Sequence, residues 1–210
     1  MWFGLPLLII LGMALYFLVF SGDFDITLSS LRQLAGNGVN LPSIQILTLL
    51  TLFSLFTFAP VINGFLALGE ELGWRGFLYP LLKKEFGQRK ADLVTGLIWG
   101  VWHVPILLMG HNYGLKTWGF PVSNLLAMIL ACFVLQIIFR HWLDASKSIW
   151  IVALAHGSVN AAATFGQIFL SSKADPANFL FGPSPVGLLG VIPLAILALT
   201  FIYKERRNHS

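Results

Sequence analysis

Apolar runs near the length of one bilayer crossing follow one another along the whole chain: 2–20, 44–69 with an extension to 82, 92–109, 120–139, 149–170 and 185–203. A helix needs ~20 apolar residues to cross the hydrocarbon core. Within that core only helices and closed barrels can satisfy their own backbone hydrogen bonds. The runs are continuous rather than alternating, which argues against a barrel. The chain is also 57% hydrophobic and only 10% charged, a balance foreign to soluble domains. The sequence therefore predicts an all-α fold, a polytopic transmembrane helix bundle. It shows no internal repeat and no low-complexity linker, which predicts a single membrane domain over 1–210.

Basic residues gather at alternate connections. Lys83, Lys84, Arg89 and Lys90 lie in 83–91, Arg140 and Lys147 in 140–148, and Lys204, Arg206 and Arg207 in the tail. Against these nine, the intervening connections hold only Arg32, Lys116 and Lys173. Cytoplasmic loops carry the excess of Lys and Arg, so the first set and the C-terminus are expected in the cytoplasm. The net charge of +4 then belongs to helix ends and does not indicate nucleic-acid binding. The first run has no basic lead-in and no evident small-residue cleavage site, which predicts a retained helix rather than a signal peptide. Cys132 reads as a small buried hydrophobe.

The stretch from Ile44 to Leu82 is too long for one crossing, since at ~1.5 Å per residue it is nearly twice the ~30 Å core. Pro60 is a natural break, because proline suits a first helical turn. One reading is a span from 44 to about 66, which gives six crossings. The other is a short span to about 58 followed by a helix from Pro60 to Leu82, which gives seven and an outside N-terminus. The second sets Glu70 at membrane depth beside His103 and His156.

Ionisable residues at membrane depth are costly and mark function. On a helix Glu71 and Arg75 share a face and would pair. Glu70 is rotated by about 100° and is the freer carboxylate. A partly desolvated glutamate is a useful general base near neutral pH. Glu70 is therefore assigned to proton transfer, and Glu71 with Arg75 to support. A purely structural ion network is the alternative for these three residues. Gly69, Gly73 and Gly76 are expected to admit a neighbouring helix closely. His103 precedes Pro105, which loosens the helix locally, and Trp99 lies one turn earlier. His156 and Asn160 are also one turn apart on one face.

Two mechanisms use these parts. In one, Glu70 with His103 activates water for attack on a peptide carbonyl while His156 and Asn160 donate to the oxyanion. In the other, Glu70, His103 and His156 hold zinc. No His-Glu-x-x-His spacing supports the zinc version, so the metal-free version, with no cofactor, is favoured.

Glu70-Glu71-x-x-x-Arg75, Trp99-x-x-x-His103 and His156-x-x-x-Asn160, in that order on successive apolar segments, resemble the CAAX protease and bacteriocin-processing family, also called the CPBP or Abi family of intramembrane proteases. The wording Gly-Glu-Glu-Leu-Gly-Trp-Arg-Gly-Phe-Leu and Trp-Gly-Val-Trp-His-Val-Pro is similar to a bacterial branch, which implies a bacterial cell membrane. The resemblance runs over 60–165, read as the catalytic core. It implies a conical polar cavity open to the cytoplasm, a membrane-associated peptide or protein substrate, and intramembrane proteolysis. Residue by residue, it makes Glu70 and His103 the water-activating pair and His156 and Asn160 the oxyanion stabilisers, with Glu71 and Arg75 completing the first motif. Trp99 departs from the commoner phenylalanine. The prenylated substrates of the family's eukaryotic members are not carried over.

Two other function classes compete. A bacteriocin-immunity or scaffold protein on the same fold would need the helices but not the intact constellation. A proton-coupled transporter would show inverted repeats, which the sequence lacks. His111, Asn112 and Tyr113 read as interfacial loop residues, His141 and Asp144 as solvated, and Asp23 and Asp25 as loop residues without an evident partner.

Overall fold

Ten α-helices account for most of the computed structural model, which describes residues 2–36 and 39–208. They are α1 (Gly4–Val19), α2 (Ser29–Ala35), α3 (Ile44–Phe56), α4 (Ala59–Gly73), α5 (Tyr79–Phe86), α6 (Gln88–Trp102), α7 (Val104–Leu108), α8 (Val122–Ser146), α9 (Ile149–Ala162) and α10 (Ile192–Asn208). Among the described residues the only extended pairing is an isolated bridge between Phe24 and Leu170. The fold is all-α, a helical membrane protein.

Three stretches are long and apolar enough to cross a bilayer: Gln88–Leu108, Val122–Ser146 and Ile149–Phe169. A fourth candidate is the pair Ile44–Phe56 and Ala59–Phe86, bent by 53° at the break between them. The break falls beside Pro60, which sits in the first turn of α4, where its missing N–H costs no hydrogen bond. Helix α1 is apolar but shorter, at 16 residues. Six crossings would require α1 and α10 to span as well, and seven would also require the two halves of the bent pair to cross separately.

Local sequence sets the joints. Ser43 caps α3 by accepting from the Ile46 N–H at 3.4 Å, which satisfies one of the free donors of the first turn. Between α5 and α6 the chain turns on Gly87 alone, at φ +77°, a conformation that costs glycine little. Pro105 lies in the first turn of α7, and His103 occupies the break between α6 and α7.

Close packing comes from glycines other than those the sequence suggested. A Cβ on Gly157 of α9 would stand 2.3 Å from the Gly64 nitrogen and 2.4 Å from the Pro60 carbonyl oxygen of α4. One on Gly96 or Gly100 of α6 would meet the backbone of Phe133 or Ile129 of α8 at 2.8 and 2.6 Å. Within a bilayer lipid is as apolar as leucine, so close backbone approach of this kind drives helix association. Gly69 and Gly73, by contrast, have nothing within 4 Å of an added Cβ. Their expected role in admitting a neighbouring helix is corrected: they face open space.

Polar contacts tie the basic connections to one end of the bundle. Lys83 meets Asp144 at 3.2 Å, Gln88 donates to Glu205 at 3.1 Å, and Arg140 reaches Asp92 at 3.2 Å and Glu205 at 2.5 Å. These partners explain why α8 runs on to Ser146 instead of stopping at 139. Arg140, His141 and Asp144 are therefore helical and paired rather than loop residues, Arg140 buried and the other two partly exposed, and the connection expected at 140–148 shrinks to Lys147 and Ser148. At the other end the Tyr113 hydroxyl donates to the Val186 carbonyl at 2.8 Å, which joins the connection after α7 to the one before α10. Asp23, near that end, accepts from the Tyr16 hydroxyl at 2.5 Å and the Asn178 amide at 3.1 Å. Asp25 caps the turn into α2 through Thr27 and Ser29. Both aspartates thus have partners.

Candidate active site

The two adjacent glutamates leave α4 in different directions and have different partners. Glu71 is fully buried and accepts from Arg75 Nη1 at 2.9 Å. The same oxygen, Oε1, lies 2.7 Å from His156 Nδ1. Arg75 is also buried, and its guanidinium sits 4.2 Å from the Trp99 ring centroid and 5.0 Å from that of Phe139. Glu71 Oε2 and Arg75 Nε and Nη2 have no hydrogen-bond partner among the described residues. The two aromatic faces therefore hold the unpaired part of the cation. Arg75 lies in a π-helical turn, Trp74–Leu78, that directly follows α4. Such widened turns are frequent at functional sites.

Glu70 is half-buried. Its Oε2 accepts from Trp99 Nε1 at 3.2 Å, and Oε1 has no hydrogen bond to the other described residues. The carboxylate lines a cavity of about 610 Å³ together with Trp99, His103, His156 and Asn160. On its other side it borders a second space of about 420 Å³, beside Gly69, Gly73, Trp74 and Trp102. The Trp74 and Trp102 rings stand edge to face, 6.0 Å apart, at that second space.

His103 is nearly buried, and its Nδ1 lies 2.7 Å from the Trp99 carbonyl oxygen. A carbonyl only accepts, so Nδ1 carries the proton and a neutral ring presents the lone pair of Nε2. His156 Nδ1, facing the Glu71 carboxylate, likewise leaves Nε2 free. The Trp99 and His156 rings meet edge to face with centroids 5.4 Å apart. Asn160 is exposed at the cavity wall.

The structure thus brings Glu70, Trp99, His103, His156 and Asn160 to one cavity and sets Glu71 and Arg75 behind it. Among the described residues no three His, Cys, Asp or Glu side chains are grouped so as to hold a metal ion.

Several cavity residues escaped the sequence reading. Tyr113 is wholly buried and lines the cavity with His111 and Asn112. All three were expected to be interfacial loop residues; Tyr113 is instead carried inward, whereas His111 stays exposed and Asn112 half-buried at the cavity rim. Burial, then the nearby Cys132 thiol, push the Tyr113 phenol well above its ordinary range, so it stays a neutral donor to Val186. Cys132 is buried, as its apolar run suggested, with Sγ 4.0 Å from His103 Nδ1. Phe139 gave no signal, being one apolar residue in a long apolar run.

The cavity runs from Glu70, Trp99, His103 and His156 to Gly110–Gly114, Thr164, Gln167 and Ser184–Val186. These belong to the connections at the end of the bundle away from the nine basic residues. The cavity lining thus extends toward the end of the bundle opposite the C-terminus.

No solved structure matches the chain significantly. CAAX prenyl protease 2 of Methanococcus maripaludis is 27% identical over 114 residues, which are 53% of this chain and 42% of that protein. The chain thus matches less than half the length of this curated relative. The family model for type II CAAX prenyl endopeptidase Rce1-like proteins matches residues 45–162, more than half of the chain and the whole stretch that holds the three polar motifs. This chain is a member of that Rce1-like family.

Proposed function

We propose that the chain is an endopeptidase that cleaves membrane-associated peptides at the cavity edged by Glu70. The observation that carries this reading is the division of labour between the two glutamates. Glu71 is consumed by Arg75 and His156. Glu70 keeps one oxygen free at a cavity that His103, His156 and Asn160 also line. Glu70, helped by the Nε2 lone pair of His103, takes a proton from water as the water oxygen attacks the peptide carbonyl. The proton then passes to the leaving amine. Asn160 and His156 donate to the oxyanion formed. Donation by His156 goes through Nε2 and requires the doubly protonated ring, whose charge faces Glu71.

Membership of a family named for prenyl endopeptidases supports hydrolysis as the reaction. The prenyl specificity in the relative's name belongs to that protein, and the reading here commits only to a peptide held at the membrane. Two features support the depth of the reaction: the groups lie within helical stretches long enough to cross a bilayer, and the fully buried Glu71–Arg75 pair stands behind them.

The test compares peptide termini in membrane and secreted fractions of cells producing wild type or Glu70→Gln at equal levels. Termini present only with wild type are expected, and they would identify substrates and cut sites. Identical termini from two folded, abundant proteins would overturn hydrolysis in favour of an immunity or scaffold role on the same fold.

A further inference from the structure

At the basic end of the bundle lies a second built site, unconnected with the two glutamates. A cavity of about 480 Å³ opens between the start of α6, the lower half of α8 and the end of α10. Its floor is a polar network. Arg140, only 2% exposed, bridges Asp92 and Glu205. Gln136 donates to the other oxygen of Asp92 at 3.1 Å, and Gln88 to the other oxygen of Glu205 at 3.1 Å. Three of the four carboxylate oxygens accept a hydrogen bond, and Asp92 Oδ2 faces Arg140 Nε at 3.2 Å as an ion pair; Arg140 Nε and Gln136 Oε1 have no hydrogen-bond partner among the described residues.

The rim differs. Arg89 and Arg206 line the same cavity from α6 and α10, are exposed, and have no acidic partner among the described residues. Phe133, Ile137 and Ile202 supply an apolar wall beside them. The helix faces nearby, at Leu97, Leu130 and Leu199, are exposed and apolar, as a lipid-facing surface is. Two free guanidiniums above an apolar wall, at the level where basic side chains meet the membrane interface, are complementary to a phosphate carrying acyl chains. Arginine binds phosphate through paired N–H donors, and basic pockets between helices take anionic head groups.

We propose that this cavity binds one anionic phospholipid, its phosphate between Arg89 and Arg206 and an acyl chain along Phe133, Ile137 and Ile202. The network under it holds the three helix ends at the spacing the head group needs. The site lies apart from the Glu70 cavity, so it stands whether or not the chain is a protease.

The experiment is native mass spectrometry of the full chain released from micelles containing equal phosphatidylglycerol and phosphatidylcholine. Wild type is expected to retain phosphatidylglycerol about tenfold more often, and Arg89→Gln with Arg206→Gln to cut that preference at least about fivefold. Lys84→Gln with Lys204→Gln removes the same charge outside the cavity and is expected to change it less than about twofold. Equal losses in the two double variants would mean diffuse attraction and overturn the site. So would the absence of any preference in wild type, a measurement that needs no variant to fold. Displacement of the lipid by millimolar inorganic phosphate would show a free-phosphate site and overturn the lipid assignment.

Discussion

His156 Nδ1 lies 2.7 Å from Glu71 Oε1, and Trp99 Nε1 lies 3.2 Å from Glu70 Oε2. Adjacent carboxylates are thereby tied to different helices: Glu71 to α9 and Glu70 to α6. The first tie is buried and shared with a cation. The second ends at a cavity. A pair of identical residues, one position apart, is split by helix phase into a structural acid and a free one.

Glutamine at the two positions should therefore fail in opposite ways. Glu71→Gln leaves Arg75 as an uncompensated buried charge, and removing one partner of such a pair costs about 3–5 kcal/mol. Glu70→Gln breaks no ion pair and is expected to cost under about 1 kcal/mol. It should nonetheless slow peptide cleavage by ~10²–10⁴, the range of a lost general base. Thermal unfolding in detergent, paired with a cleavage assay, reads both. Equal destabilisation by the two changes would contradict the division of roles.

Trp99 carries two contacts that substitution can separate. Trp99→Phe keeps a ring over Arg75 but deletes the Nε1 donor to Glu70. Trp99→Ala removes both and leaves a cavity next to a buried cation. The alanine variant is expected to lose about 3–5 kcal/mol. The phenylalanine variant should stay within about 1.5 kcal/mol of wild type, and its cleavage rate should remain above that of Glu70→Gln. A phenylalanine variant as inactive as Glu70→Gln would make the indole N–H itself part of the chemistry.

Much of this arrangement was legible in the chain because it depends on local spacing. The Glu71–Arg75 contact is a one-turn neighbour, the break beside Pro60 follows from proline geometry, and His103 sits where Pro105 interrupts the helix. The apolar runs gave the helices for the same reason. What was not legible depends on residues distant in sequence. Arg140 looked like a loop residue because nothing nearby shows that Asp92 and Glu205, 48 residues before it and 65 after it, will enclose it. Tyr113 looked interfacial because its burial depends on Val186. The packing glycines were misread for a related cause: a glycine beside a charged motif draws attention, whereas Gly157 gains its meaning only from Gly64 on another helix.

Those glycines make a sharp contrast. Gly157→Ala drives a methyl into the backbone of Pro60 and Gly64, atoms that cannot rotate away. Helices α4 and α9 must separate, at a cost of about 1–3 kcal/mol or more, and Glu71 then moves from His156. Gly69→Ala and Gly73→Ala meet open space, and each should be neutral or stabilising by up to about 1 kcal/mol, since alanine favours helix. Unfolding midpoints of the three variants measure this. A stable Gly157→Ala would mean that the α4–α9 contact is looser than 2.3 Å implies.

The orientation of the bundle decides which side of the membrane a substrate comes from. Lys83, Arg89, Arg140 and Arg206 lie at one end, where Asp144, Asp92, Gln88 and Glu205 tie Lys83 and Arg140 into one network. His111, Thr164 and Gln167 mark the cavity at the other. The excess of basic residues should hold its end in the cytoplasm, which turns the cavity outward. Single cysteines at Lys204 and His111 report this directly, because the native Cys132 is buried. With a membrane-impermeant maleimide on intact cells, His111→Cys is expected to label, and Lys204→Cys only after permeabilisation. The reverse pattern would put nine basic residues outside and open the cavity to the cytoplasm. Substrates would then come from inside the cell, and the Glu70 site, not the charge rule, would set the orientation.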